Sequence, residues 1–263
     1  MKRQITLLLF LLLTSSYAFA AEVTEVRFMC ENIEQFPVYL GNSDSIDWSN
    51  PGAGVECVKL LESKLGIKVK IERAPWKRVL EVELKNGTID GAFSASYKKE
   101  REALGAYPMK RGKVDKARSL HTDTYFFYKL KGAEFRWNGK AVSKFKGFVG
   151  VPNGYSVIDD LKKLGLSVEA SNGTLTDFNK LAAGRVGVVA ALELTADQLL
   201  KKYPDLNKVI VKVTTPIAFK EYYVMLSNQF VKSNPTLAEK IWDAIGGMRK
   251  NEFPRLVRDK YLR

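Results

Sequence analysis

One histidine and two cysteines in 263 residues leave little material for several kinds of chemistry. His121, Cys30 and Cys57 are too few for a Cys/His zinc site, and a Ser-His-Asp or Cys-His nucleophile system has one ring to draw on. Most hydrolase and metalloenzyme readings end there, and no cofactor or metal is expected. Long apolar runs are missing as well. The opening stretch Ile5 to Leu13 is interrupted by Thr6 and would rise only about 14 Å as a helix, against about 30 Å for a bilayer core. It follows the cationic pair Lys2-Arg3 and precedes Ala18-Phe19-Ala20, whose small residues stand where a signal peptidase needs them. Residues 1–20 therefore read as a secretory signal peptide cut after Ala20, with an N-terminal anchor as the alternative. A soluble, exported protein is expected, most simply a periplasmic one.

Acidic residues are the scarcer charge: 29 Asp+Glu stand against 42 Lys+Arg. Loss of Lys2 and Arg3 with the leader leaves a net charge of +11 on the rest. No nucleic-acid-binding motif accompanies this excess, so it reads as a surface potential that favours acidic ligands or anionic envelope surfaces.

Beyond the leader the chain alternates. Val23 to Cys30 is a β-type run, and a turn-rich loop spans Gly41 to Gly54. Val55, Val58, Leu61 and Leu65 then recur at helical spacing up to Gly66. Ile67 to Ile71 predicts a strand, Lys77 to Lys85 a helix stopped by Asn86-Gly87, and Ile89 to Ala95 a strand. After a charged passage from Gly105 to Asp123, the run Thr124 to Leu130 opens a second series. Strands at Gly147 to Val151, Leu166 to Glu169 and Val186 to Ala191 are spaced by helices at Val157 to Leu164 and Thr176 to Ala183. A strand at Tyr222 to Ser227, an amphipathic helix at Leu237 to Met248 and a short terminal helix follow. Such βα alternation argues for mostly parallel α/β units whose ligands gather at the carboxyl ends of strands.

Two places put hydroxyls at a strand end before a helix, where free N–H groups and the helix dipole favour an anion. One is Ser94-Ala95-Ser96, followed by Arg101, whose planar fork suits a carboxylate. The other is Gly154-Tyr155-Ser156, although Ser156 with Asp159 also fits a capping box. Cys30, ending the first strand, and Cys57, opening the next helix, are within disulfide reach in an oxidising compartment; two buried thiols are the alternative.

The run Gly54-Val55-Glu56 to Leu65-Gly66-Ile67, Ala74-Pro75-Trp76-Lys77-Arg78, Asn86-Gly87-Thr88-Ile89-Asp90-Gly91-Ala92-Phe93 and Glu100-Arg101 resembles the N-terminal lobe of the amino-acid-type (family 3) bacterial solute-binding proteins of ABC importers. Gly147 to Val151 with Gly154-Tyr155-Ser156, and Ala183-Gly184-Arg185-Val186, resemble the matching parts of the second lobe. The resemblance implies a type II periplasmic-binding-protein fold: two α/β lobes, each a mostly parallel sheet flanked by helices, joined by two hinge strands. Lobe 1 is expected at residues 21–122 plus 219–263, and lobe 2 at 123–218. By the same resemblance Arg101, with Ser94 and Ser96, grips a ligand α-carboxylate. Ser156 supplies the second-lobe hydroxyl, and Trp76 meets the ligand side chain or is a core tryptophan. Strict spacing puts the lid position at Gln35, beside Phe36 and Tyr39.

The departures fall on the ammonium half of that site. The position of the usual ammonium-binding acid holds Leu192, with Glu193 next to it as a substitute. Gly187 stands where an aspartate is common, and Lys98 replaces a threonine. The expected function is capture of a small carboxylate-bearing solute, an amino acid or relative, by hinge closure for an inner-membrane ABC permease. The expected protein is a monomer with no nucleic-acid partner and no reaction of its own. Acidic or N-blocked carboxylates are expected to outbind arginine, lysine and histidine, unless Glu193 turns inward. The alternatives are a periplasmic dehydratase of the same fold acting on prephenate- or arogenate-like acids, and a ligand sensor docking to a membrane receptor.

Overall fold

Eight strands line up in one continuous sheet in the computed structural model, which describes residues 24–262. The leader read at residues 1–20 lies outside the described residues. The strands are β1 (Glu25–Glu31), β2 (Lys68–Ala74), β3 (Gly91–Ser96), β4 (His121–Leu130), β5 (Phe148–Pro152), β6 (Ser167–Ser171), β7 (Val188–Leu192) and β8 (Ile210–Leu226). Their spatial order is β6-β5-β7-β4-β8-β3-β1-β2. β1 runs parallel to β2 and β3, and β5 runs parallel to β6 and β7. Between these two parallel triplets lies the antiparallel pair β4 and β8, which also pair antiparallel with β7 and β3 respectively. Every residue of β3 and of β7 is buried, as expected of strands with a covering layer on both faces.

Helices supply that layer. The main ones are α1 (Ala53–Lys59), α2 (Val157–Lys163), α3 (Thr174–Ala182), α4 (Glu193–Lys202) and α5 (Pro235–Lys250). The helix expected from Val55 is α1 and its continuation Leu61–Leu65, and the one expected at Lys77 to Lys85 starts at Trp76 and runs in π geometry over Val79–Leu84. The strand expected from Tyr222 is much longer, because β8 begins at Ile210. Its first part is half exposed, and its pairing shifts on both sides of Pro216, which has no N–H to give a ladder. No alternation marks such a segment in the sequence. Helix α4 and the short Pro204–Val209 helix lie in a stretch for which the sequence pattern predicts no element.

The buried residues group by lobe. One set of clusters joins β1–β3, α1 and α5, and the other joins β4, β5, β7, α2 and α3. Cys30 and Cys57 sit in the first set as free, buried thiols. Burial pushes each of them up to about 12, so they behave as small apolar side chains. The disulfide considered from the sequence does not form in the structure, which holds the alternative of two buried thiols. Among the described residues no helix is long and apolar enough to cross a membrane, and no cluster of three His, Cys, Asp or Glu is placed to hold a metal.

Candidate functional site

β3 ends the site's first wall. Its ladder with β8 pairs Ala95 with Tyr223 and Phe93 with Val224, leaving Ser94 between them as a bulge at φ +64°. A bulge re-aims side chains, and here Ser94 and Ser96 both reach a narrow, partly open cavity of about 10 Å³ between the lobes. Arg101, in the short helical turn Lys99–Ala103, is buried at 6% exposure. Its Nη1 donates to Ser96 O at 2.7 Å and Ser96 Oγ at 3.2 Å, and its Nη2 donates to Gly154 O at 2.9 Å. Tyr107 donates to the same Ser96 carbonyl at 2.9 Å. The guanidinium thus stands on a fixed frame with its plane at the cavity wall.

Ser156 comes from the opposite side. The capping-box expectation does not hold for its side chain: Ser156 has helical backbone angles and makes no cap hydrogen bond. Its Oγ instead accepts from Ser96 Oγ at 2.7 Å, across the cleft. Trp76 is both things the sequence allowed, a member of a buried cluster and a wall of the cavity. Gln35 and Tyr39 from the first loop line the cavity, whereas Phe36 turns away to pack with Ala53 and Tyr261.

Glu193 is not brought to this site. It opens α4 and pairs with Lys212 at 2.8 Å, beside Asp197, which also holds Lys212 at 2.6 Å. Leu192 is buried in an apolar cluster, opposite Tyr125 in the ladder. Gly187 has its own reason to lack a carboxylate, since a Cβ there would lie 2.5 Å from the Phe145 ring. Lys98 meets Asp159 across the mouth of the cleft in an ion pair.

The structure adds residues that the sequence did not single out. Glu31, the last residue of β1, lies in the cavity wall with Tyr125, Tyr155 and Tyr222. Tyr155 donates to Glu31 Oε2 at 2.8 Å, and the Tyr39 hydroxyl lies 2.7 Å from Gln35 Oε1 and 3.3 Å from Glu31 Oε2. Burial raises the Glu31 carboxyl to about 7, against the opposing pull of the two tyrosine hydroxyls and Arg73. The Arg73 guanidinium is itself spent on the backbone carbonyls of Glu31, Leu40 and Gly41. Position was the available signal for Glu31, because ligands collect at the carboxyl ends of parallel strands. Nothing local marks the tyrosines, which read as ordinary strand and turn residues.

No protein-family model matches the sequence, and no curated protein does. Solved structures match over nearly the whole chain. An ancestral arginine-binding protein bound to glutamine is similar at 20% identity and TM-score 0.69, over 92% of this chain and 99% of that one. The substrate-binding protein of an amino acid ABC transporter is similar at 16% identity and TM-score 0.67, over 90% and 99%. A histidine kinase sensor domain described as similar to periplasmic binding proteins reaches TM-score 0.71 at 14% identity, over 91% and 96%. Continuous sheet order, paired parallel triplets and these likenesses agree, and the chain has the two-lobed type II fold of the amino-acid-type solute-binding proteins.

Proposed function

We propose that this chain is an exported, monomeric binding protein that captures a small carboxylate-bearing solute, an amino acid or a relative, and delivers it to an inner-membrane ABC permease. In this reading lobe 1 is residues 21–122 plus 219–263, lobe 2 is residues 123–218, and β4 and β8 are the hinge. The observation that carries it is Arg101. Among the described residues this guanidinium, buried at 6% exposure, has no carboxylate partner; it is held by backbone and hydroxyl oxygens among three serines drawn from both lobes. A ligand carboxylate supplies the missing charge, and its contacts to Ser96 and Ser156 favour the closed cleft.

The cavity's fixed charge is positive. Leu192 and Glu193 place no acid at the family's ammonium position, and burial holds Glu31 toward its neutral form. Acidic or N-acylated carboxylates are therefore expected to bind better than arginine, lysine or histidine. A thermal-shift screen checks this: a ligand at about 100 times its Kd stabilises by about 2.7 kcal/mol, or roughly 5 to 10 °C here. Shifts confined to the cationic amino acids overturn the preference.

The function itself is tested by native mass spectrometry of protein from its own compartment. A small carboxylate that leaves intact on denaturation is expected; absence of both an adduct and any thermal shift refutes the reading, and a chemically altered solute points to the dehydratase alternative. The likeness to a kinase sensor domain favours ligand sensing as the second reading. Co-purification of the ligand-loaded protein with a permease, against a receptor, separates the two.

A further inference from the structure

Arg101 and Trp76 border two spaces. On one side they wall the cavity of about 10 Å³ between the lobes, about the least that holds one water molecule. On the other they border a groove of about 620 Å³ along the mouth of the cleft, a volume in the range that takes a drug-sized organic molecule. The groove belongs to neither lobe alone. Leu80 and Leu104 come from the first and Ile158 from the second, while Tyr155 packs against the apolar clusters of both. Gly154 lets the two walls meet, since a Cβ there would lie 3.1 Å from Lys77 Cγ and 3.4 Å from Trp76 Cδ1.

Floor and rim differ in chemistry. Trp76 and Leu80 are buried and Leu104, Tyr155 and Ile158 half-buried, which makes the floor apolar, while Lys77, Glu81, Lys85 and Glu100 stand exposed around it. The hollow on the far side of Trp76, about 220 Å³, offers no such floor: Asn32, Asn153, Ser171 and Asn172 line much of it. We propose that the groove holds the hydrocarbon part of the solute, so that the ligand is an elongated amphipathic acid with its carboxylate on Arg101 and an acyl or aryl chain along Leu80, Leu104 and Ile158. The proposal rests on the carboxylate-binding reading and adds what the carboxylate is attached to. A free amino acid leaves the groove to water, and a peptide brings backbone N–H and C=O groups for which these apolar side chains are no partners. An apolar chain covers both walls at once, and because each lobe supplies part of the floor, its burial favours the closed form alone.

Calorimetry on the full-length processed protein follows two series of probes. N-acetyl-, N-butanoyl-, N-hexanoyl- and N-octanoylglycine lengthen the chain at a constant head, and each added CH2 is expected to tighten Kd by about two- to fourfold. The matching N-acylglycinamides remove the charge at a constant chain, and are expected to bind at least about thirtyfold more weakly. A flat first series refutes the groove's role, whether or not the short acids bind. Acids and amides that bind alike, with the chain-length dependence intact, support the groove as the chain's site and overturn the carboxylate reading. Tighter binding of trialanine than of N-hexanoylglycine overturns the apolar occupant in favour of a peptide. Ile158→Asp puts a charge on the floor from the second lobe and should flatten the chain-length series; an unchanged slope in the folded variant refutes the placement. Should that variant not fold, Leu104→Asp is read in the same way from the opposite wall.

Discussion

Arg101 gives its Nη1 to Ser96 and its Nη2 to Gly154, so truncating it removes the proposed carboxylate grip and one tie across the cleft together. Arg101→Ala is expected to weaken ligand binding by at least about thirtyfold while the protein stays folded, because a buried carboxylate without its partner costs about 2 to 5 kcal/mol. Arg101→Lys should also lose affinity, since an ammonium cannot span the same fork. Calorimetry on both variants, with circular dichroism as the folding control, checks this. Glu31 makes a pH-dependent prediction. Its folded value of about 7 lies above the ordinary 4.5, so between those values the native state binds more protons than the unfolded one. Stability from this group is present below about pH 4.5 and is lost as pH rises through about 7, by up to about 3 kcal/mol. Asp123 and Asp177, also raised to about 7 chiefly by burial, act in the same direction. His121, lowered to about 3, acts oppositely, its share being present above about 6.5 and lost as pH falls through 3. Glu31→Gln isolates one contribution: its Tm should match the parent near pH 5 and exceed it by several degrees near pH 8. Equal Tm differences at both pH values would remove Glu31 as a titrating group. The hydroxyl positions were legible in the sequence, because Ser94, Ser96 and Ser156 lie at strand ends before helices, and Arg101 was singled out by the family resemblance. Glu31, Tyr125, Tyr155 and Tyr222 were not, since their role arises only where two surfaces distant in sequence meet.

At the scale of single elements, α5 carries adjacent glycines with opposite duties. A Cβ on Gly246 would lie 2.8 Å from the Ala117 carbonyl oxygen and 3.2 Å from Arg118 Cα, so this helix approaches the neighbouring backbone only because Gly246 has no side chain. Gly247 faces open space. Gly247→Ala should therefore stabilise the protein by up to about 1 kcal/mol, the ordinary gain of alanine over glycine inside a helix. Gly246→Ala should destabilise it by about 1 to 3 kcal/mol, as overpacking does. Urea unfolding of the two variants decides it, and equal effects would show that the approach is not limiting. The same contrast explains what was readable in the elements. Apolar runs bounded by Gly66 and by Asn86-Gly87 announce β2, β3 and the helices between them. The first part of β8 is half exposed and interrupted at Pro216, so its membership of the sheet is a property of its partner β4 and not of its own pattern.

For the whole molecule, closure is held by polar contacts spread over the cleft: Tyr155 to Glu31, Ser96 to Ser156, Arg101 to Gly154, Thr195 Oγ1 to the Phe36 carbonyl at 3.2 Å, and the Lys98–Asp159 ion pair. The ion pair is partly exposed, so alone it contributes little, but reversing one sign turns attraction into repulsion at the mouth. Asp159→Lys is expected to shift the population toward an open form, seen as a larger radius of gyration in solution scattering, with binding weakened by about three- to tenfold. An unchanged radius with unchanged affinity would show that the rim does not bias closure. The continuous sheet has one further consequence, for the order in which the molecule assembles. β3 takes one neighbour from residues 25–31 and the other from residues 222–226. A chain that has reached residue 200 contains every strand of the sheet but β8, yet β3 still presents a bare edge open to mispairing. The β3–β8 pairs that finish the first lobe join residues far apart in sequence, and such contacts form slowly. The half made first is therefore completed last, and the order of synthesis does not set the order of folding.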